Sequence, residues 1–174
     1  MKFYTICILL VLGTNQAISK DYGIVPTYNK NIYKTSLIDT LPPVFMIGQF
    51  SDQYEKLSSS AHSLLEVSQN DVYLAYDKWL DMLSELSAAA DHSGINLKGT
   101  KFWCSVYWNQ DGTIKHFAYY PKPGSIPIDQ DRFKTMLTGF VSNYKLPIAA
   151  DAAFYNYGSV AFPIPVRRQV AAKN

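Results

Sequence analysis

The chain has 174 residues, 48% hydrophobic and 17% charged, with 16 Lys+Arg against 14 Asp+Glu. That length fits one domain with a sizeable core, and the composition is that of a folded chain rather than a charged disordered one. So even a balance offers no electrostatic footprint for nucleic acid.

Lys2, the apolar run Phe3–Leu12 and the small residues of Ala17-Ile18-Ser19 read as the three parts of a secretory signal over residues 1–19. The run is shorter than the roughly 20 apolar residues of a membrane span. Cys7 lies inside it without the small residue before it that a lipoprotein signal would show. Cleavage would leave Cys104 as the sole cysteine, so no internal disulfide is expected. No Asn stands in an Asn-X-Ser/Thr pattern, which agrees with a bacterial exported chain. The expectation is an exported protein, periplasmic or extracellular, with no stable membrane anchor after cleavage.

Residues 20–43 are polar and dotted with Tyr22, Tyr28 and Tyr33, an extended lead-in that ends at Pro42-Pro43. Val44–Ile47 is an apolar run for a short strand or strap. Ser51 is placed to cap a first helix, with Phe50, Tyr54, Leu57, Ala61, Leu64 and Leu65 at helical spacing up to about Glu66. Ser68-Gln69-Asn70-Asp71 breaks it and caps a second helix, Val72–His92. Its apolar face is Val72, Ala75, Tyr76, Trp79, Leu80, Leu83, Leu86 and Ala90, and Gly94 ends it in the left-handed conformation.

Two aromatic and β-branched runs, Phe102–Trp108 and Ile114–Tyr120, flank Asn109-Gln110-Asp111-Gly112, a strong hairpin signal. The Pro121–Ser125 loop leads to a third helix, Asp129–Tyr144, with Phe133, Met136, Leu137, Phe140 and Val141 on one side. Lys145–Tyr157 reads as an irregular return and Gly158–Val166 as the last strand, with Pro163 and Pro165 blunting one of its edges. Residues 167–174 form a short basic tail. The order strand, strand, helix, strand predicts an α+β domain over 44–166. A small antiparallel sheet packs with helices there, and two further helices precede it.

Gly99, Phe102–Trp108, Asp111-Gly112, Ile114, Phe117, Phe133–Phe140, Pro147 and Phe162-Pro163-Ile164 together resemble the C-terminal domain of TonB-like periplasmic proteins. The resemblance spans about residues 94–166. It implies a periplasmic interaction module rather than an enzyme, one that captures a partner peptide by adding a strand to a sheet edge. Energy-coupling members carry an N-terminal anchor and a Pro-rich spacer. A short cleavable signal and no such spacer are expected here, so energy transduction is not.

If Asp111-Gly112 is a two-residue loop, Phe102, Cys104, Val106 and Trp108 share a face with Phe117 and Tyr119. Trp103, Ser105, Tyr107, His116, Ala118 and Tyr120 then lie on the other face. Helices over both faces would explain two bulky faces. An aromatic face left open would bind a peptide or glycan, with Trp103, Tyr107, His116, Tyr120 and Lys122 as its candidate residues. Tyr155-Asn156-Tyr157-Gly158 and Tyr119–Gly124 are expected to form a Tyr-rich rim near Lys122.

Cys104, mid-strand between bulky neighbours, reads as a buried inert thiol. His62, His92 and His116 lack ligand spacing, and neither Asp77/Asp81 nor Asp129/Asp131 reads as an acid/base pair. No catalytic residue, metal or cofactor is expected. The reading is an exported, non-enzymatic binding module for an envelope protein or cell-wall component. The alternatives are a hydrolase-type enzyme whose site the residues do not reveal, and a self-associating homo-oligomer.

Overall fold

The computed structural model describes residues 41–164. The expected signal peptide, residues 20–40 of the lead-in, Pro165 and the basic tail lie outside the described residues. In chain order the elements are β1 (Val44–Met46), α1 (Ser51–Ser60), β2 (His62–Ser63), α2 (Leu64–Val67), α3 (Val72–His92), β3 (Lys101–Trp108), β4 (Ile114–Pro121), α4 (Gln130–Asn143) and β5 (Phe154–Ala161).

The strands form one sheet in the order β1-β4-β3-β5-β2. Its centre is the expected antiparallel trio, β3 between β4 and β5. At the margins β1 pairs with β4 and β2 with β5, both in parallel. The sheet is therefore five-stranded and mixed, not small and antiparallel. Two backbone stretches of two and three residues, too short for any side-chain period, lend hydrogen bonds to its edges.

The hairpin register follows the expected parity, pairing Trp103 with Tyr120, Cys104 with Tyr119 and Tyr107 with His116. The connection differs from a two-residue loop. Gly112 N–H donates to Asn109 C=O at 2.9 Å, Gly112 has φ 86°, and the register shifts by one between Tyr107 and Trp108. A four-residue turn closed by a left-handed glycine gives this bulge. The return segment packs on that turn, with Leu146 N–H donating to Gly112 C=O at 2.8 Å and Ala150 N–H to Gln110 C=O at 3.2 Å.

Helices α3 and α4 cover the face bearing Phe102, Cys104, Val106, Trp108, Phe117 and Tyr119, and one continuous apolar core lies between. Trp79 meets Trp108 edge-on at 6.4 Å, and Phe133 meets Phe102 at 5.8 Å. Each large side chain buried there contributes about 1.5–3 kcal/mol. Asp71 and Asp129 cap the two helices by accepting from Leu74 N–H and from Asp131 and Arg132 N–H. Past α3, Gly94 N–H bonds Asp91 C=O and Ile95 N–H bonds Ala90 C=O, the closing pattern expected of Gly94.

Three boundaries depart from the sequence reading. The first helix stops at Ser60 rather than near Glu66. The hydroxyls of Ser58, Ser59 and Ser60 donate back to carbonyls of their own turn, and Ser63 with Glu66 forms a capping box that starts α2 afresh. Phe50 rather than Ser51 takes the N-cap position. The apolar stripe of α3 is partly buried at Ala75 and reaches full burial only at Trp79. Val72 and Tyr76, in its first two turns, stand 63% and 56% exposed. The last strand runs from Phe154 to Ala161 instead of 158–166, so Pro163 falls beyond it and blunts neither edge. Gly158 suits that strand by its lack of a side chain, since the Trp79 ring rests on it.

Candidate binding face

The second face of the sheet carries Trp103, Ser105 and Tyr107 on β3, with Tyr120, Ala118 and His116 opposite on β4 and Ser159, Tyr157 and Tyr155 opposite on β5. Phe45 on β1 pairs with Ala118 and joins the same face. Strand parity alone brings these residues together. What divides them is α1, which covers one end and leaves the other open.

At the covered end Tyr54 of α1 lies over the strands. Its hydroxyl is 2.9 Å from Ser105 Oγ, and its ring meets Tyr107 and Phe45 edge-on at 6.0 and 6.3 Å. Tyr107 and His116 are accordingly buried, and these two candidate residues are not part of an open site. Tyr107 stacks on Tyr155 at 5.8 Å, and burial pushes its hydroxyl pKa up. His116 Nδ1 is 3.0 Å from the Pro42 carbonyl, and desolvation holds its pKa below the usual histidine value.

At the open end Trp103 and Tyr120 stack with centroids 6.4 Å apart and planes 27° apart. Lys122 Nζ lies 5.1 Å from the Trp103 ring centre and donates to Ser159 Oγ at 2.7 Å, crossing β3 to reach β5. The ammonium so placed is attracted by the ring's negative face. Tyr120 and Tyr157 are about half exposed. Three of the five candidate residues, Trp103, Tyr120 and Lys122, therefore meet in one cluster. Ser159 joins it through Lys122, and Tyr157, expected in a Tyr-rich rim near Lys122, lies two residues from Ser159 on the same face of β5.

The backbone beside this cluster is also open. His62 N–H donates to Ala153 C=O, so Ala153 faces β2, whereas Phe162 N–H donates to Thr100 C=O, toward the β3 side. Backbone groups alternate sides along a strand, so Tyr157, Ser159 and Ala161 direct their N–H and C=O groups away from β3. Strand β2 pairs only with Phe154 and Tyr155. Among the described residues, no backbone partner meets the outward groups of Tyr157, Ser159 and Ala161. The opposite margin is closed, since β1 pairs with Phe117–Tyr119 and the next outward position is Pro121, which has no N–H.

Comparison with protein-family models, with curated proteins and with solved structures returns no match for this chain.

Cys104 is fully buried, and desolvation raises its thiol pKa far above the reactive range. Ser60, His116 and Asp52 all border a gap of about 640 Å³ between α1 and β4, but no hydrogen bond joins any two of them. The Ser60 hydroxyl donates to its own helix and the Pro42 carbonyl engages His116. A second cavity, of about 350 Å³, lies beneath the loop after β4. It is lined by Phe102, Ile126 and Phe133, with no Asp, His or Cys in its wall. No group of three His, Cys, Asp or Glu side chains comes together among the described residues.

Proposed function

We propose that the protein is an exported, non-enzymatic interaction module of the bacterial envelope. It captures an extended segment of another envelope protein along the outer edge of β5. The observation that carries this reading is the backbone of Tyr157, Ser159 and Ala161, which meets no partner strand among the described residues and lies next to the partly exposed Trp103–Tyr120–Lys122 cluster. Outward N–H and C=O groups supply affinity for an extended chain, and rings beside them supply specificity. The β3-β4-α4-β5 order also suits the TonB-like resemblance. A hydrolase would need Ser60, His116 and Asp52 to engage one another, which they do not.

The test is capture from envelope extract by wild type, Ser159→Pro and Trp103→Ala. Ser159 N–H faces away from β3, so proline there spares the β3–β5 ladder while removing a donor from the edge, and Ser159→Ala, which removes only the hydroxyl that accepts from Lys122, is the control that should keep the partner. The same partner should be lost with Ser159→Pro and weakened with Trp103→Ala. A cell-wall glycan, bound by rings alone, would be lost with Trp103→Ala and kept by Ser159→Pro. Pairing of two copies through β5 would show as a dimer in light scattering that Ser159→Pro abolishes. Recovery of every partner by both variants would remove the reading.

A further inference from the structure

The open end of the candidate face is basic, and nothing in the sheet balances it. No strand from β1 to β5 contains Asp or Glu. Strand parity puts the exposed Lys101 on the same face as Trp103, and the residue paired with it is Ala161 of β5. Lys122 is the second cation. Its ammonium lies over the Trp103 ring and donates to Ser159 Oγ, so the charge stands at the edge strand rather than at the end of β4 from which it comes. The ion pairs among the described residues are His62–Glu66 and Lys145–Asp111, and neither Lys101 nor Lys122 is paired with a carboxylate there.

Lys122 gives one N–H donor to Ser159, and among the described residues its others meet no acceptor. A strand added beyond β5 would run about 4.8 Å from it. The added residue opposite Ser159 would have its Cβ about 5 Å from that of Ser159, beside the Lys122 ammonium. The next residue on the same face, about 7 Å along, would lie opposite Ala161, on the Lys101 side. A carboxylate at either place would meet an opposite charge and no like one. A second copy of this chain fits the edge less well. Two β5 edges paired antiparallel about Ser159 would bring both Lys122 ammonium groups to one place, and their repulsion opposes the contact.

We propose that the segment captured on β5 is acidic, with Asp or Glu at two alternate positions, one opposite Ser159 and the other opposite Ala161. This deepens the strand-addition reading given above and rests on it. The backbone of Tyr157, Ser159 and Ala161 holds the segment, while Lys122 and Lys101 select its charge. They also set its register, because a slip of one residue turns both carboxylates to the other face, where the Trp79 ring rests on Gly158.

The test is an amide NMR titration of the isotope-labelled full chain with three synthetic peptides. One is acetyl-Thr-Val-Glu-Val-Glu-Val-Thr-amide, and the others carry Gln or Lys in place of both Glu. The Glu peptide should saturably shift the Tyr157, Ser159 and Ala161 amides and bind about tenfold tighter than the Gln peptide, about threefold for each charge pair. The Lys peptide should bind weakest. Methionine keeps the length of a lysine stem without its charge, so Lys122→Met should lower the Glu-peptide affinity about threefold. Lys101→Met/Lys122→Met should bind the Glu and Gln peptides alike, as should wild type at about 1 M salt, where the Debye length is about 3 Å. Equal binding of all three peptides by wild type would leave strand addition standing and overturn the acidic partner. A preference for Glu that survives in the double variant would overturn it as well. A dimer in light scattering without peptide would make a second copy the occupant and overturn it too. Failure of the edge reading shows differently, as a Glu peptide that binds Ser159→Pro as tightly as wild type. Peptides that leave the β5 amides unshifted would remove both.

Discussion

Replacing Gly112 with alanine should destabilise the hairpin that carries the candidate binding face, for two separable reasons. The first is conformational: a left-handed residue with a Cβ costs about 1–2 kcal/mol, and Gly112 has φ 86°. The second is steric. A Cβ at this position would overlap the Leu146 carbonyl oxygen, which belongs to backbone and cannot rotate aside. Retreat of that segment lengthens the 2.8 Å bond from Leu146 N–H to Gly112 C=O, a loss of about 1 kcal/mol. Together these come to about 2–3 kcal/mol, or a fall of about 10 °C in Tm for a domain of this size. Gly124→Ala is the control. Gly124 also has a positive φ, 73°, but an added Cβ would meet nothing within 4 Å. It should lose only the conformational part, about 1–2 kcal/mol and about 4–8 °C. Thermal melts followed by circular dichroism compare the two, and amide spectra report whether residues 109–113 and 144–150 move together. Equal losses in both variants would refute the steric argument and show that the return segment is not held on the turn.

Two further outcomes follow from buried titratable groups. Cys104 should resist iodoacetamide in the native protein at neutral pH and react stoichiometrically in urea, read by intact mass; stoichiometric native labelling would contradict its burial. His116 has a folded pKa below its unfolded value, so the unfolded chain binds the proton more readily. Its contribution is fully present above the unfolded pKa, near 6.5, and is lost as pH falls from there through the folded pKa. Tm should therefore drop more between pH 7.5 and pH 5 in wild type than in His116→Gln, and identical slopes would show that the imidazole does not contribute.

Much of the sheet is legible in the residues. Asp111-Gly112 with its flanking rings sets the parity that puts Trp103 and Tyr120 on one face and Cys104 and Tyr119 on the other. Helices α3 and α4 announce themselves by long 3.6-residue stripes and by Asp71 and Asp129 at their starts. Strand β1 is legible as the apolar run Val44–Ile47, but its parallel place beside β4 is not, and β2, two residues bonded through backbone, leaves no pattern in side chains. Strand β5 hides for another reason. Gly158 looks like the start of a strand, but it lies in the middle of one because Trp79 needs the space above it. At the candidate binding face, Trp103 and Tyr120 are recoverable from alternation and Lys122 from the Tyr119–Gly124 rim. The burial of Tyr107 and His116 is not, since it depends on Tyr54 reaching Ser105 across 51 positions of sequence.

The most direct test of the binding account is amide hydrogen exchange along β5, free and with the captured partner bound. The outward amides of Tyr157, Ser159 and Ala161 should exchange quickly in the free protein and become strongly protected in the complex. The inward amides of Gly158 and Val160, bonded to β3 in both states, should be slow throughout. Protection confined to the outward three would establish strand addition at this edge. Outward amides that exchange as fast in the complex as in the free protein would contradict it.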